Sequence, residues 1–213
     1  QAPEQDVVIS SRVRLSRNYD DLPFSPKLTK EYAEEVVERT ADVVFSGVNG
    51  NAFTLLRMSE LEQDARSRLV EHHYISYDLL KYVQRSAAMV SSAGTVTVML
   101  NEEDHVRFQG LLPGLQLERA AEMALNLDEA VGEKYPFAFD SQLGFLTACP
   151  ANTGTGMRCS VVLHLPALAA GGQMGAVMQA VAKLGLTIRG LYGDGSEARG
   201  HLYQLSNQAT LGR

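Results

Sequence analysis

The sequence predicts an α+β domain built on a largely antiparallel β-sheet flanked by helices. Short segments rich in β-branched or alternating residues recur between amphipathic helical segments. These segments do not alternate regularly with helices, as parallel βαβ units require, and the SSAG tetrapeptide at 91–94 separates two of them, as in a hairpin. A chain of 213 residues, 45% of them hydrophobic, can bury one substantial core, so we predict a single domain spanning residues 1–213.

Four helices are predicted from their start and stop signals. The first covers residues 29–45, where valines recur on one face and Gly47 follows as a stop. Ser59 and Glu62 have the spacing of a capping box and predict that a second helix begins at Ser59. A third covers residues 115–135, and a fourth begins at Pro166, a residue favoured in the first helical turn. The predicted strands are, in chain order, 53–58, 87–90, 95–101, 106–109, 159–165, 186–191 and 201–206.

Composition excludes several classes of protein. No apolar run approaches the roughly 20 residues of a membrane helix, and the first residues lack the pattern of a secretory signal. The formal net charge of −6 disfavours a general nucleic-acid surface. Two cysteines, Cys149 and Cys159, are too few for a disulfide framework and lack zinc-site spacing. We therefore expect a cytoplasmic enzyme or binding domain with no nucleic-acid or membrane partner.

Several arginines alternate with apolar residues in the predicted strands. In an extended chain, Arg12 and Arg14 point to one face while Val13 points to the other. The same alternation applies to Arg107, Arg158 and Arg189. Guanidinium groups converging on one face repel each other unless an anion lies between them, so the pattern predicts a polyphosphate site. The alternative is that each arginine pairs with a surface carboxylate.

No Walker-type glycine-rich loop and no protein-kinase motif set is present, so nucleotide binding would rest on the strand arginines. Glycines at 152–156 and 190–195 indicate either ordinary loops or backbone that approaches a ligand. The acidic run at 101–105 separates two strand patterns directly before Arg107. Taken alone, it is typical of a solvated turn.

Together, the segments 101–105, 149–156 and 189–194 resemble the catalytic domain of the phosphagen (ATP:guanidino) kinases, and the resemblance covers nearly the whole chain. It implies the sheet fold shared by glutamine synthetase and the guanidino kinases. The segments 143–150, 162–166 and 190–193 look most like the bacterial protein-arginine kinases.

The resemblance also assigns roles to residues. It places Glu103 at the first catalytic carboxylate and Asp194 at the second, where protein-arginine kinases usually carry glutamate. Aspartate keeps the charge but is one methylene shorter. Cys149 matches the cysteine that contacts the guanidinium acceptor, and His73, with His72 as its neighbour, matches a nucleotide-contacting histidine. The other residues that it assigns to the ATP phosphates are Arg12, Arg14, Arg107, Arg158 and Arg189.

The activity implied is ATP-dependent phosphorylation of arginine side chains in proteins, with Mg²⁺ as cofactor. A small-molecule guanidino kinase and a weakly active homologue that binds nucleotide or phosphoarginine are the alternatives. Partners implied by the resemblance are a zinc-containing activator and stress-response proteolysis machinery. The helical domain that precedes the animal enzymes and the C-terminal region of the bacterial ones have no counterpart in the sequence. We therefore expect either a fragment or a short family member.

Overall fold

The computed structural model describes residues 2–47, 53–191 and 199–211. Eight strands form one sheet and two short ones form a separate hairpin. The strands are β1 (Val8–Arg17), β2 (Phe53–Arg57), β3 (Ala87–Ser91), β4 (Val96–Leu100), β5 (Val106–Pro113), β6 (Phe139–Asp140), β7 (Gly144–Phe145), β8 (Met157–His164), β9 (Leu186–Gly190) and β10 (Leu202–Asn207).

Every adjacent pair in the large sheet is antiparallel, in the order β2-β3-β4-β5-β1-β8-β10-β9. The helices are α1 (Lys30–Gly47), α2 (Gln63–Glu71), α3 (Leu117–Lys134), α4 (Pro166–Ala170) and α5 (Met174–Lys183). The predicted fold class, a largely antiparallel sheet flanked by helices, is confirmed, and the predicted hairpin joins β3 to β4.

One face of the sheet, which we call the helix face, packs against α1 and α3. Val13, Leu15 and Phe108 on this face are fully buried. They join the valines of α1 and the apolar side of α3 in the core. The helix α3 lies so close to the sheet that a Cβ added at Gly110 would come within 2.1 Å of the Ala120 carbonyl oxygen. Glycine is therefore required where this helix crosses β5.

The opposite face carries the strand arginines, and we call it the arginine face. The described residues cover it at one end only. The chain between β2 and β3 folds over it and forms a second apolar cluster, in which Met58 and Leu79 pack on Ala88 and Met99. The strands β3 and β4 carry apolar side chains on both faces, and both faces are covered. The arginine-bearing part of the face, over β1, β5 and β8, is left available to a ligand.

The helix predictions are confirmed except for the start of the second helix. The capping-box prediction at Ser59 is wrong: Ser59 lies in a 3₁₀ turn, Met58–Glu60, and α2 begins only at Gln63. Its cap residue, Glu62, makes no side-chain capping hydrogen bond. The helix predicted from Pro166 does begin there, but it ends after five residues at Ala170. No helix among the described residues is long and apolar enough to span a membrane.

Candidate active site

Strand register brings the predicted arginines onto one face of the sheet. In the β1–β8 ladder Arg14 lies directly opposite Arg158, and in the β1–β5 ladder Ser16 lies opposite Arg107. Directly opposed side chains in antiparallel strands have Cβ atoms about 4.5–5.5 Å apart. The alternation inferred from the sequence is therefore correct. It places three cations around Arg14, namely Arg12, Arg107 and Arg158.

The arrangement raises the cost of keeping these side chains charged. Burial, with the neighbouring charges of Arg12 and Arg107, holds the pKa of Arg14 well below its usual range. Burial and the charge of Arg107 also lower the pKa of Arg12. Among the described residues, no carboxylate lies within salt-bridge distance of Arg12, Arg14 or Arg158. A bound polyanion would supply the missing countercharge.

The acidic run is not a solvated turn. Asn101 adopts a left-handed conformation, with φ of 60°, and its side-chain amide donates hydrogen bonds to the carbonyl oxygens of Ala33 and Arg85. Glu102 is 3% exposed. It accepts hydrogen bonds from Arg107, at 2.6 Å, and from Ser76, at 2.9 Å. This anchoring fixes the loop between β4 and β5.

Glu103 is the accessible carboxylate of this loop. Its side chain is 45% exposed, and one carboxylate oxygen lies 3.7 Å from Arg107 Nη2. Glu103 therefore sits between the cationic strands and solvent, where a second cation could approach it. Glu102 and Glu103 differ in burial, which the sequence alone does not show. Only the family resemblance therefore singled out Glu103 in the sequence.

Asp104, which sequence reasoning did not single out, positions the loop that carries Cys149. Its buried carboxylate accepts hydrogen bonds from Asn18 Nδ2 and from the backbone N–H of Ala148, both at 2.7 Å. Asn18 Nδ2 also donates to the Leu146 carbonyl. The residues directly before the cysteine are thereby tied to the end of β1 and to the acidic run. No sequence spacing could have revealed this connection.

These elements enclose a cavity of about 250 Å³, which we call the transfer cavity. Glu103 and Cys149 line it together with Arg14, Arg107 and Arg158. The cavity thus joins the cationic face to the acidic loop and the cysteine loop. The remaining lining residues are Ser16, Asp78, Glu102, Ala151, Asn152 and Gly156.

Three predicted nucleotide contacts lie on the arginine face but outside the lining of this cavity. Arg12 donates a 3.4 Å hydrogen bond to Gln204, which lies opposite the exposed Arg189 in the β10–β9 ladder. The His73 carbonyl accepts from Gln109 on the same face. Burial, with the charge of Arg12, lowers the pKa of His73. These residues extend the cationic surface beyond the transfer cavity.

Of the two segments whose glycines could approach a ligand, the structure describes 152–156 in full and 190–195 only in part. Gly154 and Gly156 have positive φ, and an added Cβ would collide with the backbone of Thr210 or Ser16. Close packing explains both glycines, while Gly156 also lines the transfer cavity. In the segment 190–195, residues 192–195 lie outside the described residues, and so does Asp194.

The residues present fit both a polyphosphate and Mg²⁺. The cationic half of the transfer cavity offers guanidinium forks that match phosphate oxygens. No cluster of three or more His, Cys, Asp or Glu side chains suited to a metal occurs in the described parts of the chain. Mg²⁺ usually needs only one or two protein carboxylates beside the substrate phosphates, and Asp78 and Glu102 line the cavity.

Comparison with known proteins agrees with this geometry. A model of the family described as ATP:guanido phosphotransferase, C-terminal catalytic domain, matches residues 35–213. The chain is 43% identical over 212 residues to the protein-arginine kinase of Caldanaerobacter subterraneus subsp. tengcongensis, which covers 99% of the chain and 63% of the relative. It is 45% identical over 212 residues to the protein-arginine kinase of Halothermothrix orenii, covering 100% of the chain and 60% of the relative. The chain thus spans about three fifths of the length of these relatives.

Solved structures share the fold. The duplicated taurocyamine kinase from Schistosoma mansoni with bound transition state analog components superimposes with a TM-score of 0.85 at 27% identity, covering 99% of this chain and 30% of that one. Lombricine kinase superimposes with a TM-score of 0.82 at 24% identity, covering 100% of this chain and 62% of that one, which shows the fold alone.

Proposed function

We propose, from the premise that the chain belongs to the ATP:guanido phosphotransferase family, that it transfers the γ-phosphoryl group of ATP to arginine side chains in proteins. The observation that carries the proposal is the transfer cavity, where three arginines adjoin the accessible carboxylate of Glu103 and the Cys149 thiol. A site for a phosphate donor and a site for a cationic acceptor therefore adjoin each other.

On the donor side, Arg14, Arg107 and Arg158 hold the phosphate oxygens and offset the charge that moves toward ADP during transfer. Arg12, Arg189 and His73 extend this hold along the nucleotide. Asp78 and Glu102 of the cavity would hold Mg²⁺ together with the phosphates, and the ion would supply further charge neutralisation. The buried pair of Glu102 with Arg107 keeps that arginine oriented without filling the cavity.

On the acceptor side, Glu103 binds the incoming guanidinium group. As a guanidinium nitrogen forms its bond to the γ-phosphorus, Glu103 takes the proton from that nitrogen, and the bond to the ADP oxygen breaks. Such a base is needed because an arginine pKa above about 12 leaves almost no neutral nucleophile at pH 7. The Cys149 sulfur fixes the second edge of the acceptor, and we assign Asp194 the role of a second orienting carboxylate.

The choice of a protein acceptor follows the names of the curated relatives. The taurocyamine and lombricine kinases with the same fold keep a small guanidino metabolite as the alternative acceptor. A second alternative function is that of a weakly active homologue that binds nucleotide or phosphoarginine. The shorter side chain of Asp194 favours this alternative. As part of the same proposal, we place the protein in the cytoplasm, in a stress response, with a zinc-containing activator and proteolysis machinery as partners.

The test is incubation with Mg-ATP and either free arginine or an arginine-rich protein, followed by measurement of acid-labile phosphate. Label on the protein alone supports the proposal, and label on free arginine alone supports a metabolite kinase. The absence of label on both acceptors would refute kinase activity.

The Glu103→Gln variant should lose about 10²–10⁴-fold in rate. It should keep ATP affinity, since Glu103 is assigned to the acceptor. Arg57→Gln, on the distant pair with Glu34, serves as the control and should match the wild type in both measurements. Equal losses of rate and ATP affinity in Glu103→Gln would contradict its assigned role.

A further inference from the structure

A second cavity, of about 470 Å³, opens beside the transfer cavity. We call it the flanking cavity. Its lining residues are Ser25, Tyr82, Arg85, Glu103 and Ala148. Its volume lies within the range of ligand pockets, and none of the roles discussed above uses it.

The boundary between the two cavities is formed by the acceptor-binding residues. Among the described residues, Glu103 alone lines both cavities. The adjacent residues Ala148 and Cys149 line the flanking and the transfer cavity respectively. A guanidinium group held by Glu103 and Cys149 thus has the flanking cavity next to it, away from the arginines that hold phosphate. A polypeptide that presents its arginine to Glu103 has this cavity available for the residues on either side.

Arg85 gives the flanking cavity a fixed positive charge. Its terminal nitrogens donate to the Ser25 carbonyl, at 3.2 Å, and to the Ser25 hydroxyl, at 2.8 Å. The guanidinium carbon lies 4.5 Å from the centroid of the Tyr82 ring. These contacts hold the side chain in place, and no carboxylate among the described residues forms an ion pair with it. Its buried Nε has no hydrogen-bond partner there either.

We propose that the flanking cavity binds the residues adjacent to the acceptor arginine, and that Arg85 selects an acidic side chain among them. This inference rests on the proposed transfer to protein arginines. An aspartate or glutamate entering the cavity would meet an anchored guanidinium group with unused donors. A lysine or arginine beside Arg85 would meet a like charge that no ion pair neutralises, so basic sequences are disfavoured. Acceptor choice would then depend on the local charge of the substrate as well as on arginine itself.

The experiment uses short peptides with one arginine and a single aspartate, asparagine or lysine at each of the two preceding and two following positions. With Mg-ATP, kcat/KM should be roughly 10-fold higher for aspartate than for asparagine at one or more positions, and lowest for lysine. In Arg85→Gln, the ratio of the aspartate rate to the asparagine rate should fall to about one. Arg68→Gln, on the exposed side of α2, changes the net charge equally and should keep the ratio.

The wild-type comparison does not depend on how well the variant folds. Equal rates for aspartate and asparagine at all four positions would overturn the proposal, as would an undiminished ratio in folded Arg85→Gln.

A binding arm separates this inference from the proposed reaction. Fluorescence anisotropy of the same peptides, labelled and titrated in the presence of Mg-ADP, reports the preference without transfer. In one outcome, aspartate peptides bind more tightly than asparagine peptides and lose that advantage in Arg85→Gln, while no acceptor is phosphorylated. This result would support the proposed preference of the flanking cavity and refute the proposed reaction. If transfer occurs without any preference in rate or binding, the reaction stands and the inference is wrong.

Discussion

Replacing Arg14 by methionine separates the stability of this sheet from its capacity to bind phosphate. Arg14 is flanked by Arg12, Arg107 and Arg158 and lacks a salt-bridge partner among the described residues. Exchanging buried charges for apolar side chains of similar volume commonly stabilises a protein by about 1–4 kcal/mol. We expect the lower half of that range for Arg14→Met, since the side chain is only partly buried. Without nucleotide, the variant should be more stable than the wild type.

With nucleotide, the wild type should gain more stability than the variant. A charge-assisted hydrogen bond contributes about 1.5–3 kcal/mol, so losing one of 2–3 kcal/mol weakens binding roughly 30- to 150-fold. At a Mg-ADP concentration of about 100 times the wild-type Kd, ligand binding stabilises the wild type by about 2.7 kcal/mol and the variant by only about 0.3–0.9 kcal/mol. The difference in ligand stabilisation, about 2 kcal/mol, is large enough to measure.

Urea denaturation with and without Mg-ADP, combined with calorimetric titration of the nucleotide, measures both effects. Arg57→Met removes an arginine that pairs with Glu34 far from the cavity and should leave ligand stabilisation unchanged. The prediction is wrong if Arg14→Met is less stable than the wild type without nucleotide, or if Mg-ADP raises the free energy of unfolding of both proteins equally. The first outcome would mean that the aliphatic stem of Arg14 matters more than its charge.

Three further predictions concern the scaffold around the site. Asp104→Ala should lower the free energy of unfolding by about 1–3 kcal/mol, because it leaves buried donors unpaired, whereas Asp104→Asn, which keeps Oδ1, should cost less in the same urea titration. Gly110→Ala should destabilise by about 1–3 kcal/mol through the collision with Ala120, while Gly175→Ala, in an open helical position, should be neutral or stabilising; equal thermal shifts would contradict the close packing of α3. Burial lowers the pKa of His105 in the folded protein, so its neutral form is favoured and stability should fall as pH drops below the unfolded value of about 6.5, by up to about 1.4 kcal/mol per pH unit. His105→Gln should remove that part of the pH dependence in urea titrations, and a wild-type curve parallel to that of the variant would refute the assignment.

Local patterns were enough to predict most of the secondary structure. Alternation in β1 and β8 predicted which face carries Arg12, Arg14 and Arg158, since side chains of a strand point to opposite faces in turn. The second helix was misplaced because Ser59 and Glu62 match a capping box that the chain replaces with a 3₁₀ turn. A capping box and a 3₁₀ turn both satisfy local hydrogen-bonding preferences. The first residue of the turn, Met58, packs into the second apolar cluster.

The site itself was only partly accessible to sequence reasoning. The resemblance to guanidino kinases, now confirmed by the family match, pointed to Glu103 and Cys149, and the structure brings both into the transfer cavity. The roles assigned to them remain predictions, as does that of Asp194. Asp104 and Arg85 gave no signal, because their partners Ala148 and Ser25 are distant in the chain.

The sequence by itself determined the antiparallel α+β sheet, its arginine face and the demand of that face for an anion, because period and charge are local properties. Only the tertiary structure decided that Glu102 is buried while Glu103 is accessible, and that a second cavity meets the transfer cavity at Glu103. These distinctions depend on strand register, on loops held by buried hydrogen bonds and on the covering segment between β2 and β3. All of them join residues far apart in the chain, which no local pattern encodes.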